Sequence, residues 1–150
     1  MRRISRSALV RYSPEDMFRL VGDIESYPEF LPWCEKAAIL ERGDDFVTAS
    51  LGFARGGLRK SFTTRNHLVP SERIELSLVD GPFRSLAGEW GFEPVGDGSK
   101  VSLDLKFAFD SRLADMLIGP FFEEICNRLV DAFSRRAEIV YGARNGSRPG

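Results

Sequence analysis

Histidine and cysteine, which supply many of the metal ligands in proteins, are scarce in this chain of 150 residues. His67 is the single histidine, and Cys34 and Cys126 lie too far apart to form a metal-binding or redox motif. A zinc site needs three or four convergent ligands of this kind. The sequence therefore predicts no metal site and two buried free thiols, as expected in a reducing cytoplasm.

Long apolar runs are missing as well. No stretch approaches the ~18 apolar residues of a membrane span. The start, MRRISRSALV, does not contain the apolar core of a signal peptide. We therefore expect a cytoplasmic protein whose contact with a membrane, at the inner face of the cytoplasmic membrane, is peripheral.

Positive and negative charges nearly cancel. The net charge of -1 gives no overall attraction to nucleic acids or anionic membranes. Arginine is nevertheless dense at the start of the chain (Arg2, Arg3, Arg6) and late in the last predicted helix (Arg135, Arg136). Two interpretations stay open: solvated faces, or a basic patch for lipid headgroups or RNA phosphates.

Turn-forming residues divide most of the chain into short segments of alternating character, which predict strands. The turns between neighbouring segments are short, as at Gly56-Gly57, so we predict an antiparallel meander. From Val101 to Phe109 apolar residues alternate with polar ones, which indicates a sheet with one covered face. The predicted strands are 3–11, 38–41, 46–54, 58–69, 73–79, 83–95 and 100–109.

Two short helices are predicted after the first strand, and a long helix is predicted near the end of the chain. Ser13 is expected to cap the first helix and Asp23 the second, which runs through Tyr27. The long helix covers 114–142, and Gly119-Pro120 is expected to kink or interrupt it. Its predicted apolar stripe has a spacing of four and comprises Leu117, Phe121, Ile125, Leu129 and Phe133.

This order of elements predicts an α+β fold, in which a curved antiparallel sheet of about six to seven strands faces a long C-terminal helix. We predict a single domain over residues 1–142 and a disordered tail over 143–150, where turn formers dominate. Sheet and helix can close on a solid core or leave an apolar cavity between them. The choice between these two arrangements decides the function.

Three segments sharpen the prediction: YPEFLPWC at 27–34, SFTTRN at 61–66 and VDGPFRSLAGEW at 79–90, with Phe133, Ala137 and Tyr141 further on. Together they resemble the coenzyme Q-binding proteins of the START-like, or helix-grip, superfamily of polyketide cyclases, dehydrases and lipid-transport proteins. That family includes bacterial ribosome-association toxin-like proteins. The resemblance covers about residues 3–142. It implies a sheet wrapped around the C-terminal helix, an internal site for ubiquinone, a role in respiration and no catalysis on the quinone.

The candidate ligand site is the apolar space between the sheet and the long helix, and a pocket of ~300–1,000 Å³ would hold a quinone ring and several prenyl units. Lys60, Thr64 or Asn66 is the candidate donor to a quinone carbonyl. A shift of one residue in strand register would instead leave all three in solvent. Segment 27–34 is either a plug or a lid, and turn 80–83 is either a simple hairpin or a gate. The predicted lining and mouth residues are Phe30, Leu31, Trp33, Lys60, Phe62, Thr64, Phe83, Leu86, Trp90, Leu105, Phe107, Leu117, Phe121, Phe122, Ile125 and Leu129.

Three functions follow in order of preference. The first is a monomeric, non-catalytic carrier of ubiquinone or a similar prenyl lipid that needs no cofactor and touches the membrane peripherally. The second is a toxin-like protein that binds a ribosomal subunit through outer arginines and blocks subunit association. The third is a polyketide-type cyclase that uses Glu123, Glu124 or His67. Because none of these three residues has an evident catalytic partner in the sequence, we predict that the chain is not an enzyme.

Overall fold

The sheet contains seven antiparallel strands within the described part of the chain. A computed structural model describes the backbone of residues 1–146 and the side chains of residues 1–142. The strands are β1 (Arg2–Val10), β2 (Cys34–Arg42), β3 (Phe46–Arg55), β4 (Leu58–Val69), β5 (Arg73–Asp80), β6 (Phe83–Val95) and β7 (Gly98–Phe109). Their order across the sheet is β1-β7-β6-β5-β4-β3-β2, so the first strand pairs with the last one. The predicted antiparallel meander and the α+β class are confirmed.

Two short helices connect β1 to β2, as predicted. The first, α1 (Pro14–Gly22), is capped by Ser13, whose hydroxyl accepts from the Asp16 amide at 3.1 Å. A 3-10 helix, Ile24–Glu29, follows. The prediction that Asp23 caps it is wrong, because the Asp23 carboxylate accepts a hydrogen bond from the Ser26 hydroxyl at 2.6 Å and none from the helix backbone.

The long helix α2 spans Arg112–Gly146 without the interruption expected at Gly119-Pro120. Proline removes one backbone donor, and the helix continues through this loss. The predicted tail at 143–150 overlaps the end of α2 and otherwise lies outside the described residues, so the tail stays a prediction. Within the described residues, no helix is both long enough and apolar enough to cross a membrane.

The face that α2 turns to the sheet agrees with the predicted stripe at Ile125 and Phe133, which are buried, and differs from it by one residue near the start of the helix. Leu117 is 61% exposed, whereas the next residue, Ile118, is 2% exposed. Two adjacent rows of this helix are apolar, and their pattern alone could not decide which row the sheet covers. The buried row comprises Ile118, Phe122, Cys126, Val130, Phe133, Ala137 and Tyr141.

Gly119 makes room for an ion pair between the first strand and α2. The Arg2 guanidinium donates to Asp115 at 3.0 and 3.3 Å and to Glu123 at 3.1 Å, carboxylates one turn before and one turn after Gly119. A Cβ at position 119 would lie 2.5 Å from an Arg2 nitrogen. The hydrogen bond from Arg2 holds the pKa of Asp115 below its ordinary value. Glycine at position 119 therefore leaves the space that the Arg2 guanidinium occupies.

Gly88 marks a close approach of two backbones inside the sheet. A Cβ at this position in β6 would lie 2.1 Å from the carbonyl oxygen of Asp104 in β7. At Gly91, three residues further along β6, a Cβ would meet only the Ser102 hydroxyl, at 2.7 Å. Glycine inside a strand commonly marks such a close approach, and Gly88 is an example.

The seating of Arg2 over Gly119 can be tested by a double-mutant cycle. In an Arg2→Ala background, Gly119→Ala should raise the free energy of unfolding by about 1 kcal/mol, the ordinary advantage of alanine over glycine in a helix. In the natural chain the gain should be smaller or reversed, because the methyl group displaces the guanidinium. Urea denaturation measures both effects. Gly142→Ala is the control: Arg2 is not among the close neighbours of this position, so the change in the free energy of unfolding should be the same in both backgrounds. If Gly119→Ala also had the same effect in both backgrounds, Arg2 would not occupy the space above Gly119.

Candidate functional site

An apolar cavity of about 80 Å³ lies between the concave face of the sheet and α2. Its walls come from β3 to β7, the 3-10 helix and the buried face of α2. The lining residues are Ile24, Tyr27, Trp33, Ala49, Leu51, Phe62, Thr64, Asn66, Leu76, Leu86, Trp90, Leu103, Leu105, Phe122, Ile125, Cys126, Leu129 and Phe133. The chain thus has a hollow at the predicted place, although its volume is small.

Two aromatic clusters hold α2 on either side of this cavity. The ring of Phe122 packs against Phe53 at 5.5 Å and against Phe83 and Phe107 at 5.1 Å. Eleven residues later, about 16 Å along the helix, Phe133 packs against Tyr27, Phe30 and Trp90, each at 5.3 Å. Smaller residues of α2 line the space between these two clusters, which is where the cavity lies.

Two polar side chains of β4 stand in this apolar lining. Thr64 and Asn66 are 7% and 6% exposed, and the Thr64 hydroxyl donates to the Asn66 side-chain carbonyl at 2.7 Å. That bond leaves the Asn66 NH₂ group as a donor in the wall of the cavity. The phenol of Tyr27, which also lines the cavity, is engaged with the carbonyl of Val21. The even-numbered face of β4 is therefore the inner one, which decides the register that the sequence left open.

A larger groove of about 620 Å³ runs between the segment after the 3-10 helix and α2. Trp33, Ile125 and Leu129 line both the groove and the cavity, so these three side chains are the partition between them. The groove itself is lined by Phe30, Leu31, Pro32, Trp33, Ala54, Arg55, Phe121, Glu124, Ile125, Arg128, Leu129, Ala132, Arg135, Arg136 and Ile139. A third pocket of about 230 Å³ adjoins the cavity on the side of Tyr27, Asn66 and Trp90.

The volumes show where a large ligand has room. The enclosed cavity is smaller than the ~300–1,000 Å³ typical of small-molecule sites, whereas the groove falls within that range. The expectation that the space between sheet and helix by itself holds a ring and several prenyl units is therefore corrected. A ligand with its ring in the cavity and its chain in the groove requires the partition side chains to move.

Most of the predicted ligand residues meet at this face. Lys60 and Leu117 do not, since Lys60 is exposed near the Gly56-Gly57 hairpin and Leu117 faces solvent on the turned helix. Phe83 and Phe107 are buried in the Phe122 cluster and contribute packing. The predicted residues that line the cavity are Trp33, Phe62, Thr64, Leu86, Trp90, Leu105, Phe122, Ile125 and Leu129. Three further predicted residues line the groove: Phe30, Leu31 and Phe121.

Several site residues were absent from the predicted set. Leu51 and Leu76 alternate with polar neighbours in their strands, which was a usable signal for the inner face. Cys126 lies four residues after Phe122 and so falls in the same helical row. Arg135 and Arg136 stood out in the sequence as a basic pair late in the helix, but the pattern did not tell which arginines border the apolar surface.

The proposed acid–base residues of the cyclase alternative lie outside the cavity. Glu123 is bonded to Arg2, and Glu124 bonds Arg55 at 3.2 Å and Arg128 at 3.0 Å. His67 lies on the outer face of the sheet between Glu75 and Asp45. Within residues 1–142, no group of His, Cys, Asp and Glu side chains has an arrangement that could hold a metal ion.

Both cysteines are buried, and burial suppresses ionisation of their thiols. Burial raises the pKa of Cys34 to about 11, and it raises the pKa of Cys126 still more strongly. Since the thiolate is the reactive form, neither group is poised for chemistry in the folded state. Cys126 lines the cavity, so its reaction with an added reagent reports on access to that space.

The partition between cavity and groove is testable through Cys126. In a Cys34→Ser background, Trp33→Ala should speed labelling of Cys126 by a maleimide, because it opens the cavity to the groove. Leu86→Ala is the matched control: it enlarges the cavity from the sheet side without opening the partition. Each truncation costs about 2–5 kcal/mol, so general destabilisation is similar. Equal labelling rates in the two variants would show that Trp33 closes no passage.

The environment of His67 gives a second measurement. The hydrogen bond with Glu75, at 2.9 Å, and the charge of Asp45 raise the pKa of His67 above 6.5. The pairing of protonated His67 with these carboxylates stabilises the folded state. This stabilisation is fully present below pH 6.5 and is lost as the pH rises through the pKa of His67 in the folded state. NMR titration of the single histidine should confirm the raised value, and Glu75→Gln should lower it. A value at or below 6.5 in the natural chain would contradict the pairing.

Comparison with known proteins agrees with this geometry. The family described as "Polyketide cyclase / dehydrase and lipid transport" matches residues 10–134. The chain is 46% identical over 143 residues to the ribosome association toxin RatA of Vibrio cholerae, covering 95% of this chain and 99% of that protein. It is 28% identical over 134 residues to the mitochondrial coenzyme Q-binding protein COQ10 of Drosophila melanogaster, covering 86% of this chain and 55% of that protein.

A solved structure supports the fold. The Zhui aromatase/cyclase of Streptomyces sp. R1128 superimposes with a TM-score of 0.84 at 18% identity, covering 99% of each chain. At this identity the similarity concerns architecture alone. The family match spans most of the chain, and the related toxin aligns along nearly all of it. The chain therefore belongs to the START-like family of polyketide cyclases, dehydrases and lipid-transport proteins.

Proposed function

We propose that the protein binds a prenylated quinone of the ubiquinone type without transforming it. The observation that carries this proposal is the apolar cavity with one inward amide donor, Asn66, separated from a long groove by only three side chains. A quinone has the matching shape, a flat ring with carbonyl acceptors and a flexible hydrocarbon tail. The distant similarity to a coenzyme Q-binding protein supports the same chemistry.

The tail supplies most of the driving force in this proposal. Each CH₂ group removed from water contributes ~0.8 kcal/mol, and the groove offers apolar surface from Phe30 to Ile139. The ring then lies toward Asn66, where a carbonyl accepts from the NH₂ group. A long tail exceeds the groove, and its remainder stays in a bilayer. The protein accordingly acts as a cytoplasmic monomeric carrier with peripheral membrane contact.

The absence of an acid–base group from the described cavity lining favours binding over catalysis. Glu123 and Glu124 are engaged in surface ion pairs, and His67 lies on the opposite face of the sheet. The ionisable groups of the lining are Tyr27, whose phenol is bonded to a backbone carbonyl and whose pKa is raised by burial, and the buried Cys126. A cyclase would need a group that exchanges protons near neutral pH.

Binding is tested by titrating ubiquinones of different tail length into the purified protein and following tryptophan fluorescence. Asn66→Leu should weaken quinone binding about two- to tenfold, the worth of one net hydrogen bond of ~0.5–1.5 kcal/mol. A prenyl alcohol, which lacks the quinone carbonyls, should bind the variant and the natural protein alike. Asn127→Leu, which lines neither cavity nor groove, serves as control. Failure of every quinone to saturate the protein would end the proposal.

A second candidate is binding to a ribosomal subunit, which the name of the 46% identical relative favours. It would use the outer surface. There Glu75, Glu89 and Asp104 lie side by side across three strands and would repel RNA phosphates, which leaves the β1 edge with Arg3 and Arg6 as the basic surface. This function predicts salt-dependent co-sedimentation with ribosomal subunits. Loss of co-sedimentation in Arg3→Gln/Arg6→Gln, with quinone binding retained, would separate the two functions.

A further inference from the structure

Arginines border the groove. Arg55, Arg128, Arg135 and Arg136 line it within the described residues, and Glu124 is the carboxylate among the lining side chains. Each of these charges is solvent-accessible to some degree, so ion pairs between them are weak. The groove therefore carries an excess of positive charge in a molecule whose overall net charge is -1.

The available carboxylates leave this excess uncompensated. Glu124 is shared by Arg55 at 3.2 Å and Arg128 at 3.0 Å. Arg136 reaches Glu29 at 3.1 Å and stacks on the ring of Phe30 at 4.8 Å, and its Nε is buried without a hydrogen-bond partner among the described residues. Within residues 1–142, Arg135 is exposed and has no ion pair.

Exposed apolar side chains extend the groove at both ends. Leu113 and Leu117 precede Phe121 at spacings of four on the same face of α2, and they are 64% and 61% exposed. At the other end Ile139 is 69% exposed. This face, from Leu113 to Ile139 on α2 together with Phe30–Trp33, is named the groove face. It combines apolar residues with arginines, the composition of a surface that lies in a membrane interface.

We propose that the groove face docks on a membrane that contains anionic phospholipids. The arginines bind the lipid phosphates, and Leu117, Trp33 and Ile139 enter the boundary between headgroups and acyl chains. The inference deepens the proposed function, on which its biological meaning rests, by placing the mouth of the ligand site against the bilayer. RNA offers phosphates but no apolar layer, so the exposed leucines and Ile139 favour the membrane over RNA as the partner.

The distribution of basic groups favours one orientation. The outer face of the sheet carries charges of both signs, since the row of Glu75, Glu89 and Asp104 adjoins Arg3 and Lys106, which lie opposite each other on β1 and β7. The groove face lies on the other side of the sheet, with α2. The excess of arginines on the groove face turns the partition residues toward the lipid, and this attraction decays over about 10 Å at ordinary ionic strength.

Vesicle flotation tests the proposal with the full chain. Binding to vesicles of phosphatidylcholine mixed with phosphatidylglycerol should exceed binding to phosphatidylcholine alone and should fall as salt is raised. Arg128→Gln/Arg135→Gln should lower the partition coefficient about 25-fold, since each arginine near an anionic surface contributes roughly a fivefold factor. The matched control is Arg3→Gln/Lys100→Gln, which removes the same charge from the outer face and should leave binding unchanged.

The outcomes separate docking from ligand binding. Quinone titration of the natural protein in neutral detergent micelles measures ligand binding separately from vesicle binding. Equal binding to neutral and anionic vesicles would overturn the docking proposal, and so would full binding by the variant. The docking proposal would also be overturned if the variant lost co-sedimentation with ribosomal subunits while keeping vesicle binding, because the arginines would then bind RNA and not lipid phosphates. Failure of the quinone titration alone would remove only the proposed function.

Discussion

The packing of Phe122 and Phe133 against the sheet is the constraint from which the site follows. Each ring sits in a cluster of aromatic partners, so α2 is fixed at two points about 16 Å apart. Between those points the helix presents smaller groups, Ile125, Cys126 and Leu129, to a sheet that is already curved. The helix cannot move closer there without breaking one of the clusters. The cavity between the two aromatic clusters therefore follows from the positions of Phe122 and Phe133 on α2.

The strand plan could be predicted from the sequence because its signals are local. Alternation in β7, the glycine hairpin between β3 and β4, and the serine cap of α1 each depend on a few neighbouring residues. The family could also be identified, since three segments occur in the right order. The cap at Asp23 failed because a competing side chain, Ser26, lies within reach of the carboxylate.

The candidate site was less predictable, and the reasons are physical. The rotation of α2 depends on which of two apolar rows the sheet covers, and only the aromatic partners of Phe122 decide this. The inner face of β4 depends on register, which the sequence left open until Thr64 and Asn66 were found in the lining. Cavity volume depends on rotamers of Trp33 and its neighbours, about which a residue pattern carries no information.

The pairing of the first strand with the last has a consequence for synthesis of the chain. Arg2 lies opposite Phe107, and its guanidinium reaches Asp115 and Glu123. During synthesis, β1 leaves the ribosome before the other six strands but has no neighbour until β7 has been translated. Contacts so distant along the chain form slowly. The nascent β1 therefore stays unpaired while the other strands are made, and the sheet is complete only after β7 has emerged.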